Sequence, residues 1–349
     1  VDAQRVVVNG YFRSQQVTGQ QRYAREVADR LVTRPGFREI GSKSESSKYA
    51  DWMAVQLLPF RSDGSVVLSL TSRAPYVGSR RVCVVHDLFP ITHPEWYSAT
   101  YASVHANLLR RNIATAEKLV VVSPVVADEI AELSGRRCED IVVAPNAPSS
   151  IFCEEKISSK FDLRKRFEIP PENYTVLAVG SLEPRKNLER LIRAVSMIND
   201  TGINPTTLLL VGSSASIFAP VGDLGALNNV VFAGRVTDQE LASLYSEVDL
   251  VAFPSLAEGF GLPAVEALAC GARLAVSDIP VFRWICGDHA QYFDPYDEES
   301  IAATISMDLV RGSSVPDAER MRDSPRHILA EFDWDRTAEL ISTVCLGLR

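Results

Sequence analysis

Short runs of consecutive apolar residues alternate along the chain with segments whose apolar positions recur every three or four residues. The first kind includes Arg5–Asn9, Val66–Leu70, Arg81–Val85, Lys118–Val122 and Ile141–Ala144. It resumes at Tyr174–Gly180, Thr206–Val211, Val230–Phe232, Val248–Pro254 and Ala272–Ser277. These runs lack the in–out alternation of a half-solvated strand, so they read as strands of parallel sheets covered on both faces. The second kind reads as helix: Gln20–Val32 with Tyr23, Val27, Ala28 and Leu31 on one side, then Tyr97–Ala116 and Pro124–Leu133. Further helices are expected at Leu188–Asn199, Asp238–Tyr245, from Pro263 to Gly271, and from Phe332 to Leu346. Strand, glycine-bearing loop and helix in succession open a doubly wound α/β domain, and the pattern occurs twice.

The pattern lapses between Ser149 and Pro171, which reads as a linker with a short helix. Residues 1–165 are therefore expected to form one Rossmann-like domain and 166–331 a second, with a helix at 332–349 returning to the first. Gly41–Lys48 is polar, Ser-rich and expected to be mobile. At 349 residues there is enough chain for two domains, each with a substantial core. Hydrophobic residues are 46% and charged residues 23%, which suits a soluble globular protein. No apolar run approaches the ~20 residues of a membrane-spanning helix. Val1-Asp-Ala-Gln-Arg5 enters a strand at once with no signal-peptide pattern, and without an initial Met the natural first residues are expected to be missing or replaced. None of the six cysteines falls at Cys-x-x-Cys or zinc spacing, and they read as reduced thiols serving as small hydrophobes. Together with the absence of a leader this suggests the cytoplasm.

Net charge changes the picture only locally. Residues 1–150 hold 18 Lys and Arg against 15 Asp and Glu, whereas the whole chain is at −8. An acidic whole argues against bulk nucleic-acid binding. The slightly basic first part suits either contact with anionic lipid or a phosphate-bearing acceptor, or else a scatter of solvated arginines.

Two stretches carry candidate chemistry. In Glu258-Gly-Phe-Gly-Leu-Pro-Ala-Val-Glu266 a glycine loop follows a strand and feeds a helix, a ready anion site. Gly259 and Gly261 allow backbone N–H groups close to a ligand, and Glu266, expected in the first helical turn, suits the vicinal hydroxyls of a ribose. The plain alternative is a capped α/β loop with surface glutamates. Upstream, Gly180-Ser-Leu-Glu-Pro-Arg-Lys-Asn187 places Arg185 and Lys186 at the start of a helix, where the dipole disfavours cations. A bound diphosphate would offset that conflict. In the first domain, His86 ends a parallel strand, the ligand edge of such sheets, although a lone His is more often a packed core residue.

Together, Gly-Ser-x-x-x-Arg-Lys-Asn and Glu-Gly-Phe-Gly-Leu-Pro-x-x-Glu resemble the nucleotide-sugar site of family-4 retaining glycosyltransferases. The resemblance covers nearly the whole chain. It implies the GT-B fold, two Rossmann-like doubly wound domains facing across a cleft, with the donor mostly on the second and the acceptor mostly on the first. It implies that Arg185 and Lys186 neutralise the leaving diphosphate, that Glu258 contacts the sugar and Glu266 the ribose, and that Ser181, Gly259, Phe260, Gly261 and Leu262 complete the donor site. Gly234-Arg235-Val236 resembles the family's nucleobase-holding loop. Thr18-Gly19-Gln-Gln-Arg22-Tyr23 resembles a loop near diphosphate and acceptor, and His86-Asp87 the pair beside the transferred sugar. Pro145-Asn-Ala147 stands where the family commonly has Pro-Asn-Gly, which puts that turn in doubt.

The resemblance further implies a metal-independent, cofactor-free hexosyltransferase with His86, Arg185, Lys186 and Glu258 as catalytic groups. The one Asp-x-Asp in the chain, Asp333-Trp-Asp335, falls in the closing C-terminal segment and not in either donor motif. The pattern looks most like bacterial mannosyl- and rhamnosyl-type transferases of surface polysaccharide assembly. GDP-mannose is the first reading for the donor. A saccharide or polyprenyl-diphosphate-linked saccharide is the acceptor, reached by an enzyme at the inner membrane face, with peripheral membrane contact through the first domain. Two other classes stay open: a GT-B nucleotide-sugar epimerase or hydrolase, and a non-catalytic sugar-nucleotide-binding protein.

Overall fold

The computed structural model describes residues 6–15, 17–41, 48–61, 64–76, 78, 80–153, 162–212, 229–312 and 329–348. The chain divides into two compact units, Val1–Asn146 with Phe332–Arg349, and Ala147–Glu331.

The first unit is built on six parallel strands: β1 (Val6–Asn9), β2 (Phe37–Ile40), β3 (Val66–Ser69), β4 (Arg81–Val85), β5 (Lys118–Val121) and β6 (Ile141–Val143). Their order is β2-β1-β3-β4-β5-β6. The chain runs from β1 to β2 on one side and to β3 on the other, so the order reverses between β1 and β3. Every residue of β1, β3 and β4 is buried, which is why their sequences show no alternation. β2 is the strand that the apolar pattern did not mark. As an edge strand it buries Phe37 alone and leaves Arg38, Glu39 and Ile40 half-exposed. The expected polar loop at Gly41–Lys48 falls largely on residues 42–47, outside the described residues. Lys48 already opens a helix, Lys48–Gln56.

The helix Trp334–Gly347 packs on the first helix, Gly19–Leu31. Tyr23 meets Trp334 edge to face at 5.7 Å, Arg30 pairs with Asp335 and Arg34 with Glu339. Thr337 Oγ1 donates to the Pro145 carbonyl at 2.7 Å. Several of this unit's cations are bonded internally. Arg13 pairs with Glu39 and Asp29, Lys118 with Asp140, and Arg136 donates to three carbonyls at the end of the helix Ala99–Thr115.

The second unit has six parallel strands: β7 (Tyr174–Val179), β8 (Thr206–Val211), β9 (Val230–Gly234), β10 (Leu250–Phe253), β11 (Leu274–Ser277) and β12 (Gln291–Phe293), ordered β12-β11-β10-β7-β8-β9. Again the missed strand, β12, is an edge with only Phe293 buried. The helix Leu188–Asp200 lays Leu188, Leu191, Ile192, Ala194, Val195 and Ile198 into the core against Val176, Leu208 and Leu210. The expected boundary at 165 differs from this division at Asn146. Segment 147–153 and the short helix Leu163–Arg166 pack with the second unit: Phe152 lies 6.0 Å from Tyr245, and the Leu163 N–H donates to Glu247 at 3.3 Å. All six cysteines are free. Among the described residues no helix is long and apolar enough to cross a membrane.

Candidate functional site

In the second unit the chain leaves β7 for β8 and β9 on one side, then returns to place β10 on the other. The strand order reverses between β7 and β10, and a crevice outside the carboxyl ends of strands at such a point is where α/β sheets bind ligands. The two chemistry-bearing stretches are the loops that follow β7 and β10. They are tied together: the Leu256 N–H donates to the Arg185 carbonyl at 2.9 Å, and Asn187 Nδ2 donates to the carbonyls of Pro254 and Pro295 at 3.0 and 2.7 Å.

Pro184–Lys186 is a single 3₁₀ turn. It directs Arg185 and Lys186 onto one carboxylate, Glu258. Lys186 Nζ donates to Glu258 Oε1 at 2.6 Å, and Arg185 Nη1 donates to Glu258 Oε2 and, at 3.0 Å, to the Ala257 carbonyl. Ser255 Oγ donates to Glu258 Oε1 at 2.7 Å. The Glu258 side chain is 8% exposed, and those of Arg185 and Lys186 15% and 10%. Burial pushes the Glu258 carboxyl up, but Arg185 and Lys186 outweigh it and hold it down to about 2. The cations that seemed misplaced at a helix start are thus neutralised within the chain itself.

Sequence reasoning missed a third carboxylate. Glu183, 3% exposed, accepts from Arg185 Nη2 at 2.6 Å and from Ser181 Oγ at 3.0 Å, and its carbonyl accepts the Lys186 N–H at 3.0 Å. The signal was one acidic residue inside an otherwise cationic motif, and Ser181, already singled out, is its partner.

Beyond Glu258 the glycine loop enters the helix Leu262–Ala269. Gly261 sits at φ +88, and a Cβ there would lie 2.9 Å from the Phe282 ring. Gly259 and Phe260 are buried, and Phe260 meets Trp284 edge to face at 5.8 Å. Leu262 is half-buried as the first helical residue. Glu266 was expected in the first turn, but because the helix starts at Leu262 it is the fifth residue. At 4% exposed it is no surface glutamate. Gly234, Arg235 and Val236 stand at the end of β9, two strands from β7. The link between them is backbone: Gly234 accepts from Gly212, whose missing Cβ would fall 1.7 Å from the Gly180 carbonyl oxygen.

In the first unit His86 follows β4, 8% exposed. Its Nε2 lies 2.9 Å from the Leu70 carbonyl, which can only accept, so Nε2 carries the proton. Burial lowers its pKa to about 4, against the opposing pull of that carbonyl, leaving a neutral ring near pH 7. Asp87 accepts the Phe89 N–H at 3.3 Å. Thr18 occupies the cap position of the first helix without a capping bond. Gly19 is exposed and Arg22 half-buried. The residue of that motif which reaches His86 is Tyr23, fully buried and edge-on to the imidazole at 5.0 Å. Among the described residues no group of three or more His, Cys, Asp or Glu could hold a metal ion.

Two parallel, doubly wound six-stranded sheets are the architecture of the GT-B fold. The solved Anabaena HepE in complex with UDP-glucose aligns over 98% of this chain and 99% of its own, with TM-score 0.71 at 18% identity. Residues 159–322 match the family model Glycosyl transferases group 1. The chain is 28% identical over 307 residues to the Escherichia coli serotype-specific mannosyltransferase WbdA, covering 82% of this chain and 36% of WbdA. It thus spans about a third of that relative. It is 27% identical over 328 residues to the O-antigen chain mannosyltransferase RfbU of Salmonella typhimurium, covering 91% and 86%.

Proposed function

We propose that this protein transfers a hexose, with retention and without a metal ion, from a nucleoside diphosphate sugar to a hydroxyl of a saccharide acceptor in surface polysaccharide assembly. The observation that carries this reading is the convergence of Arg185 and Lys186 on Glu258 at the reversal of strand order, beside a glycine loop that opens a helix. Leaving-group departure builds negative charge on the diphosphate, and two fixed cations supply its stabilisation. In the free chain Glu258 fills the place of an anion. When a diphosphate takes the cations, Glu258 is released to accept from sugar hydroxyls. Glu266 takes the ribose, and the backbone of Gly259 and Gly261 approaches the phosphates. Gly234, Arg235 and Val236 hold the base. On the first unit, His86, neutral with Nε2 committed to Leu70, and Asp87, Gly19 and Arg22 are the groups that the resemblance assigns to sugar and acceptor. The mannosyltransferase names of WbdA and RfbU support mannose as the transferred sugar. GDP-mannose as donor, a saccharide or polyprenyl-diphosphate-linked saccharide as acceptor, and peripheral contact at the inner membrane face complete the proposal and rest on the sequence resemblance.

A melting-temperature panel with GDP, UDP, ADP and dTDP tests the reading. The cognate nucleotide at 100 times its Kd adds about 2.7 kcal/mol to stability. GDP is expected to give the largest rise. A larger rise with UDP would overturn GDP-mannose as donor, and no rise with any of the four would overturn the site.

A further inference from the structure

We infer that Glu183 is a positioning residue, holding the Arg185 guanidinium in the orientation in which it meets a diphosphate; the inference rests on the donor-site reading above. Arg185 projects from one 3₁₀ turn, too short an element to restrict a long side chain. Its rotamer freedom has to be removed by what it touches. Three acceptors do so: Glu183 on Nη2, and the Ala257 carbonyl and Glu258 on Nη1. They differ in kind. The Ala257 carbonyl is fixed in the backbone, and Glu258 is the group an entering anion displaces. Glu183 belongs to the same turn as Arg185, and its carbonyl closes that turn by accepting the Lys186 N–H. At 3% exposed, a carboxylate is tolerated only when bonded, and both Ser181 Oγ and Arg185 Nη2 converge on its Oε1.

Charge makes this role separable from its opposite. Glu183, Glu258, Arg185 and Lys186 carry two charges of each sign, so the resting cluster is neutral. A further carboxylate near the diphosphate repels it. If Glu183 acted only by its charge, removing it would tighten anion binding. As the holder of Arg185, its removal weakens binding despite that relief. Glu183→Gln discriminates, because the amide oxygen still accepts from Nη2 while the charge is gone.

The experiment is calorimetric titration of wild type, Glu183→Ala, Glu183→Gln, Arg185→Ala and Glu183→Ala/Arg185→Ala with the nucleoside diphosphate that stabilises wild type. Glu183→Gln should bind as wild type does or tighter, and Glu183→Ala about tenfold weaker, equivalent to about 1.4 kcal/mol. In the Arg185→Ala background, Glu183→Ala should cause no further loss, the non-additivity expected of groups acting through one contact. Glu183→Ala binding as tightly as wild type, equal weakening of Ala and Gln variants, or additive losses in the double mutant would each overturn the role. Should Glu183→Ala fail to fold, Glu183→Gln decides, and a loss above about threefold in it overturns the inference. Wild type that binds none of the four nucleotides would overturn the donor site itself. Binding by wild type with the wrong pattern among the variants would overturn only Glu183.

Discussion

Replacing Glu258 by Ala should make the protein bind a bare nucleoside diphosphate more tightly, although Glu258 is read as a donor-site residue. The carboxyl is held down to about 2, against 4.5 for an ordinary glutamate, by Arg185 and Lys186 acting against burial. A diphosphate that takes the two cations has to displace the Glu258 carboxylate, and re-solvation of the freed carboxylate returns part of that cost. Sparing one charge-assisted hydrogen bond, roughly 1.5–3 kcal/mol, corresponds to a gain in affinity of at least about tenfold for Glu258→Ala. Arg185 stays oriented in the mutant, because Glu183 and the Ala257 carbonyl still hold it. Alone, the mutant should melt lower than wild type, since two largely buried cations lose their shared partner, and added nucleotide should raise its melting temperature more. Turnover of the intact donor should fall, because the sugar loses its carboxylate. Calorimetric titration at low and high salt gives the answer, the gain shrinking as salt screens the cations. Unchanged or weaker diphosphate affinity in both Glu258→Ala and Glu258→Gln would refute the idea that Glu258 occupies the anion's place.

Two further predictions are independent of that exchange. His86 titrates near 4 in the folded chain and near 6.5 when unfolded, because burial disfavours the imidazolium. Below 6.5 the unfolded chain therefore binds more protons, so stability contributed by the neutral ring is lost as pH falls from about 6.5 to about 4. His86→Gln, which keeps a donor for the Leu70 carbonyl, should flatten the urea midpoint over that range, and an unaltered slope would count against it. Sugar transfer should persist in excess EDTA, measured as initial rates; abolition with rescue by Mn²⁺ or Mg²⁺ would overturn charge neutralisation by Arg185 and Lys186.

How far the molecule was legible in its sequence depended on whether a strand carries an unbroken apolar run. β1, β3, β4, β5, β7, β8, β10 and β11 lie inside their sheets, and their runs of Val, Leu and Ala stand out; the edges β6 and β9 stand out too, through Ile-Val-Val and Val-Val-Phe, although β9 has no buried residue. β2 and β12 are edges whose residues apart from one Phe each face partly outward, so Phe-Arg-Glu-Ile and Gln-Tyr-Phe gave no run to find. The candidate site was legible as two motifs, yet not as a cluster. Glu258 lies 73 residues from Arg185, and the partnership comes from β10 being laid beside β7. Read locally, Arg185 and Lys186 stand unneutralised at a helix start. In the free chain a carboxylate on a neighbouring loop, plus Glu183 in the same turn, neutralises them. No periodicity or spacing rule joins residues across strands that far apart in the chain.

The two carboxylates solve the same electrostatic problem by different means, and the difference bears on how the site could work. The helix Leu188–Asp200 begins with its positive dipole end beside Lys186, and its cap residue, Asn187, at φ 54, spends its side-chain donor on the carbonyls of Pro254 and Pro295. Unopposed, two cations there would repel both the dipole and each other. Glu183, two residues from Arg185, has little room to leave, so it fixes one cation permanently. Glu258 comes from the other loop and reaches the two cations through its side chain alone. It can neutralise both cations while the site is empty and withdraw when an anion arrives. A site built with Glu183 alone would keep a net positive charge in the free protein. One built with Glu258 alone would leave Arg185 only the Ala257 carbonyl once a diphosphate entered. On the proposed donor-site reading, having both keeps the empty loop neutral and the occupied one ordered.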